Sequence, residues 1–208
     1  MNDAQANTLA QSAMRDLHPS WLANLDSDLV IQARGRALGR QWLADRLART
    51  ESLYRDLQVY SDALRPPHLP VWLFQPLPVG LDRALGAHAY AGLIKTSVAR
   101  AQVAHWRDLL GSDLYTRVLN TPAEGDPGPV ESQPNPRASD MGERLRRQGA
   151  IELYRVAFAH HPLAAERIQL GFPRDWALSK GRARLSTPRA RAVIETVRET
   201  PNAEPAPA

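Results

Sequence analysis

Apolar residues recur at helical spacing along most of this chain. Leu53, Leu57, Tyr60 and Leu64 follow one another at intervals of four, three and four, which places them on one face of a helix. Thr50 or Ser52 is positioned to cap that helix and Pro66-Pro67 to stop it. Upstream, Ser27 or Asp28 caps a longer predicted helix reaching about Arg49, with Ile31, Leu38 and Trp42 as its apolar stripe. Gly35 and Gly39 lie on it, each costing about 1 kcal/mol relative to alanine, so close approach of another element is the expected reason for them. Residues 81–119 read as helix in pieces, interrupted at Gly86 and Gly92. Ile94, Val98, Val103, Trp106 and Leu110 carry the stripe there, and Gly111 stands where a helix C-terminus favours glycine. Leu114, Val118 and Leu119 make a last short helix of that run. Residues 141–160 predict another helix with Leu145, Ile151, Tyr154 and Phe158 on a broad face, broken at His161-Pro162. Pro188 opens a terminal helix ending near Arg198.

Two stretches depart from this pattern. Residues 66–78 are proline-rich but carry Val71, Trp72, Leu73, Phe74 and Leu77, more large apolar groups than a solvated linker would hold. They read as an extended strap packed across the core. Ile168, Leu170 and Phe172 alternate as in a short extended piece, but a lone strand makes no sheet. The expected fold is therefore mainly α: an irregular helical domain with a Pro-rich extended strap and at most one short β element. The expected organisation is a flexible N-terminus over 1–16, frayed or disordered, and a helical body over 17–120. A Pro-rich flexible loop follows over 121–140, where five prolines and two glycines cluster with several acids. A C-terminal helical part over 141–199 packs on the body, and a disordered tail occupies 200–208.

At 208 residues the chain is long enough to bury a core without cross-links. Cysteine is absent, which excludes a disulfide framework, thiolate catalysis and cysteine zinc sites and fits a reducing compartment. There is no secretory-signal pattern, and apolar runs such as Val71-Trp72-Leu73-Phe74 are far too short to cross a bilayer. A cytoplasmic location without membrane insertion is expected. The formal net charge of +4 is unevenly spread. Residues 141–198 hold 12 basic and 5 acidic residues, a surplus of +7, and the remainder holds 14 and 17, a deficit of −3. Such asymmetry speaks of partners rather than of fold.

Signatures of catalysis are missing. There is no phosphate-cradling or dinucleotide-binding glycine loop, no Gly-x-Ser-x-Gly elbow and no His-Glu-x-x-His frame. His160 and His161 are adjacent, so on a helix they point about 100° apart and do not chelate one ion from one face. Asp26 and Asp28 read as helix-capping residues. No catalytic residue, cofactor or metal ligand is expected. The candidate partner-binding set is the basic stretch Arg174, Lys180, Arg182, Arg184, Arg189 and Arg191. It suits an acidic protein surface or, with Trp176 nearby, a phosphate backbone, although it lacks the apolar face of a membrane-surface helix. Of Trp21, Trp42, Trp72, Trp106 and Trp176, most are core by spacing and one or two are expected as exposed anchors.

The order of features resembles a known family. Leu17-His18-Pro19-Ser20-Trp21-Leu22 is followed by helices, then by Leu73-Phe74-Gln75-Pro76-Leu77-Pro78 and by Leu85-Gly86. Ile94, Val98, Arg100 and Val103 come next, then Leu109-Leu110-Gly111, Tyr115 and Val118-Leu119. Beyond the Pro-rich loop lie Gly149-Ala150, His161-Pro162 and Arg167-Ile168-Gln169-Leu170-Gly171-Phe172-Pro173. This pattern, spanning about Leu17 to Pro173, is similar to the SctK/YscK family of type III secretion accessory proteins, and within it to the Hrp-type members of plant pathogens. The chain departs from it by lacking a Phe- and Pro-containing lead before His18-Pro19, and by a longer, more basic tail beyond Trp176. The resemblance implies a non-enzymatic scaffold at the cytoplasmic side of the injectisome. Such a scaffold links an SctD-like inner-membrane ring protein to SctQ-like pods of the sorting platform, without a cofactor. The alternative is a nucleic-acid-binding accessory protein using the basic C-terminal segment.

Overall fold

Four of the α-helices start behind a side chain that accepts a bond from the free backbone N–H groups of the first turn. The computed structural model describes residues 8–60, 69–122 and 138–200. Thr8 caps α1 (Leu9–Asp16) by accepting from the Gln11 N–H at 3.3 Å. Asp26, one residue before the expected caps, accepts from Asp28 and Leu29 at 2.8 and 3.1 Å and opens α2 (Ser27–Arg34). The chain continues through α3 (Ala37–Thr50), α4 (Ser52–Tyr60), α5 (Leu81–Ala89), α6 (Ala91–Thr96), α7 (Arg100–Leu110) and α8 (Ser112–Asn120). After α9 (Ala138–His160), His161 caps α10 (Pro162–Leu170) through Nδ1, and Ser186 caps α11 (Thr187–Glu199). The fold is mainly α, and no strand occurs among the described residues.

The helices fall into two units. The first comprises residues 1–77 and 154–179, the second 78–153 and 180–208, so α9 contributes to both. In the first, Leu9, Met14, Leu17, Leu43, Leu57 and Ile168 are wholly or almost wholly buried. In the second, Leu85, Ile94, Val118, Leu145, Leu153 and Ile194 form the core.

Several expectations are corrected here. Residues 9–16 are not a loose lead: α1 buries Leu9, Ala13 and Met14. The expected long helix from Ser27 to Arg49 is two helices, because the backbone turns at Gly35-Arg36. A Cβ at Gly39 would lie 2.3 Å from the Ala33 carbonyl oxygen, so the glycine permits the close return of α3 onto α2. That turn moves the stripe. Val30, Leu43 and Leu47 face the core, whereas Ile31, Leu38 and Trp42 are exposed. In the Pro-rich strap, Val71–Phe74 wind into a short 3₁₀ turn rather than an extended run, and it is Leu69, Leu73 and Phe74 that are buried. The alternation of Ile168, Leu170 and Phe172 is not extended either, since α10 includes the first two. Val98 and Phe158 are exposed members of their predicted stripes. Leu64, Pro66-Pro67, residues 123–137 of the loop and residues 201–208 of the tail lie outside the described residues.

Candidate functional site

The six basic residues expected to bind a partner do not form one uniform strip. Arg174 belongs to the first unit and Lys180, Arg182, Arg184, Arg189 and Arg191 to the second. The Arg174 guanidinium is already engaged, 3.0 Å from Glu51 and over the Trp21 ring at 5.4 Å. The Arg174 backbone N–H donates to Ser20 Oγ at 2.9 Å. Lys180, Arg182, Arg184 and Arg191 are exposed and Arg189 is half-buried.

In the second unit a buried carboxylate fixes the path of this stretch. Glu152 on α9 is buried, and its Oε1 accepts from the Arg184 N–H at 2.7 Å and its Oε2 from the Leu185 N–H at 3.3 Å. Gln148, one turn earlier on α9, donates to Glu152 Oε1 at 2.6 Å and to the Arg182 carbonyl at 3.0 Å. Burial pushes the Glu152 carboxyl above its ordinary value, opposed by these donors and by the Arg184 charge. A Cβ at Gly181 would fall 2.3 Å from the Ile151 side chain, so this backbone lies directly on α9. Above it, the Arg184 guanidinium stacks over Tyr90 at 4.7 Å from the ring centre. The basic loop is therefore a positioned surface.

His88 sits in the same unit under a positive field. Burial, then Arg189, Arg117 and Lys95, push its imidazole down to about 4. Its buried Nδ1 has no hydrogen-bond partner among the described residues.

The segments that carry the family resemblance also meet. In the first unit the His18 N–H donates to the Leu170 carbonyl at 2.9 Å, and the Trp21 indole N–H to the Phe172 carbonyl at 3.0 Å. A Cβ at Gly171 would lie 3.6 Å from Asp16 and Leu77 side-chain atoms. At the centre lies Arg167, completely buried. It donates to Asp16 at 2.5 Å, to the Gln75 carbonyl at 2.8 Å and to Ser12 Oγ at 3.3 Å. Burial raises the Asp16 carboxyl despite the guanidinium beside it, and lowers the guanidinium despite the carboxylate. Both directions mean that the interior penalises charge on either partner and that the pair holds because each neutralises the other. Leu17–Leu22, Leu73–Leu77 and Arg167–Pro173 are thus one packed assembly. In the second unit the pattern's glycines do the same for helices. A Cβ at Gly86 would lie 2.0 Å from the Leu145 carbonyl oxygen, and one at Gly149 only 1.7 Å from that of Asp82. Gly86 is accordingly a helix-contact residue inside α5 and not the interruption its sequence position predicts.

Among the tryptophans, Trp21, Trp106 and Trp176 are buried, Trp72 is half-buried and Trp42 is the exposed one. Periodicity placed Trp42 with the core; only the turn between α2 and α3 reveals its exposure. Neither Glu152 nor Arg167 is legible as buried from the sequence, because a charged residue on a helix reads as solvated until its neighbours are known. Among the described residues, no group of three or more His, Cys, Asp or Glu is placed to hold a metal ion, and no helix is long and apolar enough to cross a membrane. Comparison with protein-family models, curated proteins and solved structures returned no match.

Proposed function

We propose that this protein is a non-enzymatic scaffold of a bacterial type III secretion system, joining an SctD-like inner-membrane ring protein to an SctQ-like pod of the sorting platform. The observation that carries the reading is the convergence just described. The three motif segments, far apart in sequence, are bound to one another through Arg167, His18 and Trp21, which supports reading them as parts of one pattern. Linking two partners takes two surfaces. The exposed basic loop around Arg182 and Arg184, together with Lys180, Arg189 and Arg191, suits an acidic partner, and the helical first unit supplies the other contact.

The test is to look for SctQ-like and SctD-like proteins encoded near this gene, and to co-purify and titrate this protein with them. Wild type should bind both. A variant with Lys180, Arg182, Arg184, Arg189 and Arg191 changed to Glu should lose one partner at low salt and keep the other, since charge reversal slows association most where screening is weak. Absence of binding to either protein, or absence of any secretion genes around this one, would overturn the reading. Undiminished binding of both partners by the folded variant would reduce the basic loop to a solvated surface.

A further inference from the structure

The exposed face of α3 combines features that a solvated helix does not need. Leu38 is 81% exposed and Trp42, one turn on, is 36% exposed. A groove of about 330 Å³ is lined by Trp42 together with Leu22, Asn24, Asp45, Arg46, Arg49 and Thr50. That volume is at the small end of the ~300–1,000 Å³ typical of binding pockets, so it takes side chains and not a large ligand. Trp42 is held in place: the Arg46 guanidinium lies over its ring at 5.0 Å, which limits the rotamer freedom it would lose on being covered. Neither Arg46 nor Arg49 is in an ion pair with another described residue. Across α3 the charges are Arg40, Arg46 and Arg49 against Asp45, a balance of +2.

We infer that the groove beside Trp42 on α3 docks an acidic amphipathic helix of a protein partner, with an apolar side chain of that helix entering between Leu22 and Trp42 and its carboxylates meeting Arg46 and Arg49. Charge decides the occupant. A second copy would bring one positive face against another. A nucleic-acid backbone would meet the positive charge but leave Leu38 and the apolar wall of the groove uncovered. An acidic segment with apolar anchors satisfies both, and arginine's planar fork grips carboxylates with two parallel bonds. Exposed Trp and Arg together are also the residue types on which interface energy concentrates. The inference goes beyond the secretion reading and does not depend on it.

The probe is a fluorescein-labelled helical peptide with leucines on one face and glutamates on the other, titrated by fluorescence polarisation at low salt. One companion peptide carries lysines in place of the glutamates; a second carries serines in place of the leucines; a single-stranded oligonucleotide is the competitor. The acidic amphipathic peptide should bind at least about tenfold more tightly than either companion, and Trp42→Ala or the double change Arg46→Glu, Arg49→Glu should each weaken it about tenfold or more. Val98→Ala, at an exposed position of the other unit, should leave it unchanged. Circular dichroism checks that each variant is folded, and the charge variant decides the matter should Trp42→Ala be unstable. Equal binding of either companion, displacement by the oligonucleotide at equal concentration, self-association that competes with the peptide, or indifference to both α3 variants would overturn the inference. No secretion partner enters this titration, so its failure and that of the scaffold reading are separate results.

Discussion

Replacing Arg167 with Met should destabilise the first unit by about 3–5 kcal/mol, the range for breaking a buried ion pair from one side. Methionine roughly conserves the apolar stem, so the loss is electrostatic and not a cavity. The guanidinium has no exposed surface and makes bonds to Asp16, the Gln75 carbonyl and Ser12. Asp16 retains a partial supply of water, at 14% side-chain exposure, and the Leu77 N–H at 3.3 Å from both its oxygens. That relief puts the expected loss near the lower limit, about 3 kcal/mol. Asp16→Asn alone should cost a similar amount, since it leaves the guanidinium charged and unneutralised. Combined with Arg167→Met, it removes the charge left behind, so the double variant should be more stable than the sum of the two losses by at least about 1 kcal/mol, within the range for residues in one network. Urea unfolding followed by far-UV circular dichroism gives each free energy, provided the slopes agree with wild type. An Arg167→Met loss within about 0.5 kcal/mol of zero, the effect of an ordinary surface change, or strict additivity, would refute the pair's role in tying α1, the 75–77 segment and α10 together.

Other consequences are as direct. Gly149→Ala sets a Cβ 1.7 Å from the Asp82 carbonyl oxygen, so helix backbone must shift; a loss of about 3 kcal/mol is expected at the upper end of overpacking. In a melt this is a fall of roughly 6–12 °C, and an unchanged midpoint would contradict the close contact of α5 with α9. His88 titrates near 4 when folded, below its ordinary 6.5, so its contribution to stability is complete above about 6.5 and is lost as pH falls through about 4. The raised carboxyls of Asp16 and Glu152 act oppositely, favouring the fold at low pH and losing that contribution as pH rises through their folded values. His88→Gln should therefore lose less stability than wild type between pH 7 and pH 5 in urea titrations; an equal or larger loss would sink the assignment. Glu152→Gln places an amide NH₂ against backbone donors and should cost about 1–3 kcal/mol. Hydrogen exchange at the Arg184 and Leu185 amides should quicken, and undisturbed protection there would deny the anchor. Nucleic-acid binding by the basic stretch should be nonspecific and collapse as salt rises; sequence-selective nanomolar binding at physiological salt would favour the alternative function.

The helical class was legible from the sequence because it rests on local information: the spacing of apolar residues, helix openers such as Pro188, and stops such as His161-Pro162. Gly35 and Gly39 read as sites of close approach for the same reason, since an uncompensated glycine inside a helix is costly wherever it lies; the close approach is at Gly39, while Gly35 sits at the turn. Periodicity left undecided which side of a helix faces inward once the chain turns. Gly35-Arg36 breaks one predicted helix into α2 and α3, and that single turn exposes Ile31, Leu38 and Trp42 while burying Val30, Leu43 and Leu47. Leu9, Ala13 and Met14 look sparse in a polar segment but are buried because α10 and the Leu73 turn provide the other wall. The basic stretch was visible as charge, yet its shape depends on Glu152, and the buried network depends on Arg167 finding Asp16 at a separation of 151 residues. Propensity and periodicity act within a few residues along the chain. Burial, pairing of charge and exposure of a tryptophan depend on partners brought together across the whole of it, and so were decided only by the tertiary structure.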